Sequence, residues 1–120
     1  MNVFQDALRR IAERVEGARA VSLVGVDGIP IDSYAAAEGL SIESVSAEMG
    51  ALVKTAQSPG WASESAGVQQ MVIETDQTIT ILSRVTKEYY LLLLLTRDGN
   101  FGRGRFELRK AALTLEKELL

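Results

Sequence analysis

Two residue types that carry most enzyme chemistry are missing from this chain: it has no histidine and no cysteine. A thiolate nucleophile, a disulfide frame, a zinc–thiolate site and any Ser-His-Asp or Cys-His arrangement are therefore excluded. The commonest general base is excluded with them. Glu74 and Asp76 stand close together at a strand end, where two acids can do acid/base work. With no further signal beside them they read as turn polarity. Gly99, Gly102 and Gly104 look like a glycine-rich loop, but the spacing is not G-x-G-x-x-G. They also lack a βαβ setting, and no G-x-x-x-x-G-K-[ST] occurs. A tight strand-to-helix turn explains them. Arg103, Arg105 and Arg109 alternate with Phe101 and Phe106, a combination that could suit nucleic acid. The chain as a whole carries 13 basic and 16 acidic residues, a net charge of −3. A dedicated nucleic-acid binder is basic, so these arginines read as a solvated first turn of helix. Tyr89 and Tyr90 read as core and rim aromatics rather than a stacking platform. No cofactor or metal is expected.

The elements that would position these residues follow from pattern. The 120 residues, 47% apolar, fit one domain over 1–120 and a single core. Met1 to Arg10 lacks a signal-peptide core. The longest apolar run, Leu91 to Leu95 preceded by Tyr89 and Tyr90, is too short to span a bilayer as a helix. A cytoplasmic protein without membrane or nucleic-acid partners is expected. Met1 to Gly17 repeats apolar residues at helical spacing. Ala20 to Val26 reads as a strand, and Asp27-Gly28 is a hairpin signal. Ile29 to Tyr34 returns as a second strand, placed at an edge because Pro30 cannot donate to a ladder. Ser41 caps a helix that runs to Ala56 or Gln57 and stops at Ser58-Pro59-Gly60. Its inward stripe is predicted as Ile42, Val45, Met49, Leu52, Val53 and Ala56, centred on Met49. Trp61 to Gly67 is a polar connection. Val68–Thr75, Thr78–Arg84 and Tyr89–Thr96 follow as three strands, the last apolar on both sides and therefore central. A final helix runs from Phe101 to Leu120. The order α-β-β-α-β-β-β-α predicts an α/β sandwich on a five-stranded antiparallel sheet with helices on both faces.

Two features invite a partner. The outward side of the second helix carries Ser44, Ala47 and Ala51, flanked by Glu43, Glu48, Lys54 and Thr55, with Gly50 placed on the flank. Exposed helix faces usually hold long charged side chains, and a small, smooth centre permits close approach of another backbone. Ser44, Ala47, Glu48 and Ala51 are the candidate docking residues. The strand Val68 to Thr75 is the edge opposite strand two, without proline or lysine, and Met71-Val72-Ile73 makes it adhesive. Pairing with its own copy in an isologous dimer would remove that liability. The expected dimer interface is Val68, Gln70, Met71, Val72 and Ile73, with Met49 and Val53 from the helix.

The run Ala20-Val21-Ser22-Leu23-Val24-Gly25-Val26-Asp27-Gly28-Ile29-Pro30-Ile31, the element order, and Gly102-x-x-Arg105 opening the last helix resemble the roadblock family of dynein-light-chain-related domains. The resemblance covers Val3 to Glu118, and the bacterial MglB-like subgroup is the most similar in flavour. It implies dimers built through the third strand and second helix, with one continuous sheet across both chains. It implies no NTPase activity of the chain's own. It further implies a regulatory module that binds a small Ras-like GTPase as an activating or scaffolding subunit. Because the chain runs little beyond the domain, a minimal dimeric adaptor is expected. Arg84, Arg97 and Arg103 are the turn-located arginines, and none is distinguished as an arginine finger; reshaping of the GTPase's switch loops is the expected route to activation. The alternative is a dimeric adaptor that tethers a peptide or larger assembly without any GTPase.

Overall fold

The computed structural model describes residues 2–56 and 67–119. The expected helix stop at Ser58-Pro59-Gly60 and nearly all of the connection from Trp61 lie outside the described residues. The elements are α1 (Val3–Arg14), β1 (Ala18–Gly25), β2 (Pro30–Ala35), α2 (Ile42–Ala56), β3 (Gln70–Glu74), β4 (Thr78–Arg84), β5 (Tyr89–Thr96) and α3 (Phe101–Glu118). The strands form one antiparallel sheet in the order β2-β1-β5-β4-β3. This is the α/β sandwich predicted from the sequence, with both expected edges in place.

The centre of the sheet is where the apolar run demands it. Leu91, Leu93 and Leu95 point to one side, where they meet Leu8 and Ile11 of α1 and Leu108 and Leu115 of α3. Tyr90, Leu92 and Leu94 point to the other, beneath Ile42 and Val53 of α2. Period-two alternation thus feeds two cores from one strand. Burying each leucine contributes about 1.5–3 kcal/mol, so β5 is the main apolar investment of the fold. Tyr89 sits at the rim of the first core and Tyr90 is buried in the second.

Local chemistry sets the ends of the elements. The Asn2 side chain accepts from the Phe4 and Gln5 amides and caps α1. Ser41 Oγ accepts from the Ser44 amide at 3.3 Å at the start of α2. The Asn100 side chain accepts from the Arg103 amide at the start of α3. The β1–β2 hairpin differs from a two-residue turn. Gly28 N–H donates to Gly25 O, Gly25 N–H donates to Ile29 O, and Gly28 takes a φ of +85°. That is a type I turn closed by a left-handed glycine, and the Asp27 carboxylate accepts from the Ile29 amide at 3.0 Å.

The inward side of α2 is a correction. Ile42, Ser46, Gly50, Val53 and Ala56 are buried, whereas Leu52 is 41% exposed and Val45 and Met49 are only half-buried. The helix is rotated from the Met49-centred stripe, so Gly50 points inward and does not lie on the flank. The cause is steric: Gly50 lies against the backbone of Gly28, and only a residue without Cβ permits that approach.

Candidate partner-docking site

The site is built from two elements, the outward side of α2 and the open edge of β3. On α2, Ser44, Ala47, Glu48 and Ala51 are all exposed. The rotation of the helix leaves these four outside and adds Leu52 beside them. Thr55 folds its hydroxyl back onto Ala51 O at 3.0 Å, so it adds little reach to the surface. The face is anchored from beneath. A Cβ on Gly28 would lie 3.3 Å from Ala47 Cα, so the hairpin directly underlies the helix at its smoothest point.

Among the described residues β3 has a hydrogen-bonded neighbour on one side only, β4. Thr75 N–H donates to Thr78 O and Arg84 N–H donates to Gln69 O. These two bonds fix the parity of the ladder. The odd-numbered residues of β3 bond to β4, and the N–H groups of Gln70, Val72 and Glu74 point to the free side. Met71 and Ile73 pack onto the α2-side core. Val72 is 43% exposed.

The structure divides the expected interface residues. Met71, Val72 and Ile73 lie on the strand, Met49 is half-buried against the α2-side core, and Val68 is half-buried just before the strand begins. Gln70 is already engaged: its Oε1 accepts from Arg105 Nε at 2.7 Å. Val53 is 3% exposed within the protomer's own core, so it supports α2 from below and offers no surface.

The other candidate residues have structural work. Glu74 pairs with Arg97 at 2.9 Å, and Arg97 also donates to Thr75 O. Gly99 lies against Gly17 in the turn between β5 and α3, whereas Gly102 and Gly104 lie within α3, Gly104 packed onto Leu93 and Ile81 of the sheet. Arg105 lies over the Phe101 ring, 5.6 Å from its centroid. Arg103 lies inside α3 rather than in a turn and pairs with Glu107 at 2.9 Å. Sequence reasoning missed Glu107. It is 3% exposed and held between Arg103 and Arg14, linking α3 to α1. Its signal was present as Arg103 one turn before it, the four-residue spacing at which side chains on a helix meet. No group of three or more Asp, Glu, His or Cys suited to a metal occurs among the described residues. No helix among them is long and apolar enough to cross a membrane.

Residues 4–95 match the family model of the Roadblock/LC7 domain. The chain is similar to the crystal structure of MglC from Myxococcus xanthus, with 30% identity, 96% of this chain and 98% of that one covered, and a TM-score of 0.70. A Roadblock/LC7 domain from Streptomyces avermitilis superposes with a TM-score of 0.83 at 19% identity, covering 94% of each chain. Myxococcus xanthus MglB superposes with a TM-score of 0.82 at 16% identity, covering 98% of each. These last two likenesses show the fold alone. No curated protein matches the sequence.

Proposed function

Because the chain belongs to the Roadblock/LC7 family, we propose that it is a non-catalytic homodimeric module of the cytoplasm that binds a small Ras-like GTPase, as an activating or scaffolding subunit. The outward side of α2 carries this reading. Ser44, Ala47 and Ala51 expose small side chains over one stretch of helix. Smoothness of this kind suits a partner's backbone more than solvent.

The dimer completes the surface. A two-fold axis perpendicular to the sheet pairs β3 antiparallel with its copy. It uses the outward amides of Gln70, Val72 and Glu74 and keeps both copies of α2 on one side. The GTPase would then meet two smooth helices across a continuous sheet. Arg97 and Arg103 are committed to Glu74 and Glu107 within the chain. No arginine of the chain is distinguished as a finger, and activation on this reading works through the GTPase's own switch loops.

The test is calorimetric binding to the Ras-like GTPase of the same genome, loaded with GTP or GDP. Binding that depends on nucleotide state and is lost in Ala47→Arg and Ala51→Arg, with melting temperatures within a few degrees of the parent, supports the reading. Binding indifferent to nucleotide state overturns it. Capture of an extended peptide at β3 without any GTPase binding would favour the tethering adaptor instead.

A further inference from the structure

A second surface lies across the sheet from α2. α3 packs on the opposite core, and its outward side exposes Phe106 at 57% and Leu113 at 69%. The two are seven residues apart, or about 10.5 Å along one line of the helix. Neither contributes to the buried core.

The charges share that period. Arg103, Lys110 and Lys117 recur every seven residues along one flank of the apolar line, and Arg109 stands on the other. Written as a heptad with Phe106 and Leu113 at a, all three cations fall at e, the position that chooses partners in a coiled coil. Lys110 Nζ lies 6.0 Å from the centroid of the Phe106 ring, so the ammonium stays beside the seam. Arg103 is paired with Glu107, but Arg14 shares that carboxylate, so the trio keeps a net positive charge. This flank is cationic on a chain whose net charge is −3.

We propose that the outward side of α3 docks an acidic amphipathic helix of a different protein, with apolar residues set against Phe106 and Leu113 and carboxylates against Lys110 and Lys117. A second copy of this chain does not supply that helix among the described residues. α1 sets Asp6 and Glu13 seven apart, but its apolar side, Leu8 and Ile11, is already buried in the protomer's own core. α2 sets Glu43 and Glu48 only five apart. A flat anionic membrane would also meet Glu116, exposed two turns from Arg109 and at d in the same heptad, whereas a helix can set an uncharged or basic side chain against it. The surface is independent of the α2 face and would let one module hold two partners.

The test uses the full chain and a designed four-heptad peptide with leucine at a and d and glutamate at e and g. A control peptide carries lysine at e and g, and phosphatidylglycerol vesicles are the third probe. In fluorescence anisotropy the acidic peptide binds and the basic one does not. Lys110→Glu/Lys117→Glu weakens the acidic peptide about tenfold or more and gains binding to the basic one. Phe106→Ser/Leu113→Ser weakens the acidic peptide comparably, and Ala47→Arg leaves it unchanged. All these substitutions are at exposed positions, and far-UV circular dichroism checks each fold. Equal binding of both peptides, acidic-peptide binding that survives the charge reversal, or co-sedimentation with vesicles while both peptides are ignored each overturns the proposal.

Discussion

Gly28 and Gly50 meet backbone to backbone: a Cβ on Gly50 would lie 2.6 Å from Gly28 Cα and 3.0 Å from its nitrogen. The contact joins the β1–β2 turn to the middle of α2. It sets the rotation of that helix and therefore which residues it presents outward. A helix-interior glycine costs about 1 kcal/mol relative to alanine. Here close packing requires it.

Gly50→Ala therefore destabilises the protein despite its better helix propensity. The added methyl meets backbone, which cannot swing aside, and overpacking of this kind costs about 1–3 kcal/mol. Gly104→Ala is the internal control. Its methyl would meet side-chain methyls alone, those of Leu93, Ile81 and Leu95 at 3.0, 3.2 and 3.5 Å, which can give way. Urea unfolding at fixed protein concentration should rank Gly50→Ala clearly below Gly104→Ala. Equal midpoints would show that the α2 contact is looser than described.

The same glycine marks the limit of what was legible in the sequence. The leucine run fixes β5 at the centre because no half-solvated strand tolerates it, and Pro30 marks an edge because it lacks a donor. The smooth residues Ser44, Ala47 and Ala51 were readable because they lie away from any apolar stripe. The rotation of α2 was not, because Ser46 and Gly50 carry no hydropathy signal. Close approach to Gly28 outweighed the modest apolar gain of turning Leu52 inward. Glu107 escaped notice because its second partner, Arg14, lies 93 residues away in the chain.

The proposed dimer predicts a backbone-specific effect at Val72. Its amide points to the free side of β3, so Val72→Pro removes an outward donor and no bond to β4. Sedimentation should show the parent as a dimer and Val72→Pro as a monomer, with unchanged far-UV circular dichroism. Met71→Pro removes an inward bond to β4 and should lower stability instead. A Val72→Pro protein that remains dimeric would place the dimer contact elsewhere.

The link between α1 and α3 is asymmetric in energy. Glu107 is buried at 3% exposure, while the Arg14 and Arg103 side chains are 41% and 47% exposed. Arg103 Nε is 2.9 Å from Glu107 Oε2 but poorly aligned, so that oxygen has a charge contact without a hydrogen bond. Removing the carboxylate frees two arginines that already reach water. Removing both arginines strands a buried charge. Glu107→Leu should therefore change stability by no more than about 1 kcal/mol, whereas Arg14→Ala/Arg103→Ala should cost about 3 kcal/mol or more. Thermal unfolding of the two variants checks the order, and a reversed order would refute this asymmetry.

Ser46 offers the opposite test, a substitution that improves the fold. Its hydroxyl is fully buried beneath α2 and has no hydrogen-bond partner among the described residues. An unsatisfied buried hydroxyl carries a desolvation penalty of about 1–3 kcal/mol, and alanine is the better helix former. Ser46→Ala removes the polar atom without enlarging the side chain. It should raise the urea midpoint, by a stabilisation of about 1 kcal/mol, with an unchanged slope. Ser46→Val tests whether polarity or volume matters. A Cβ on Gly28 would lie only 3.3 Å from Ser46 O, so the helix is already close to the turn and valine would force it away. The midpoint should rise in Ser46→Ala and fall in Ser46→Val. A loss of stability in Ser46→Ala would mean that the hydroxyl is satisfied in solution.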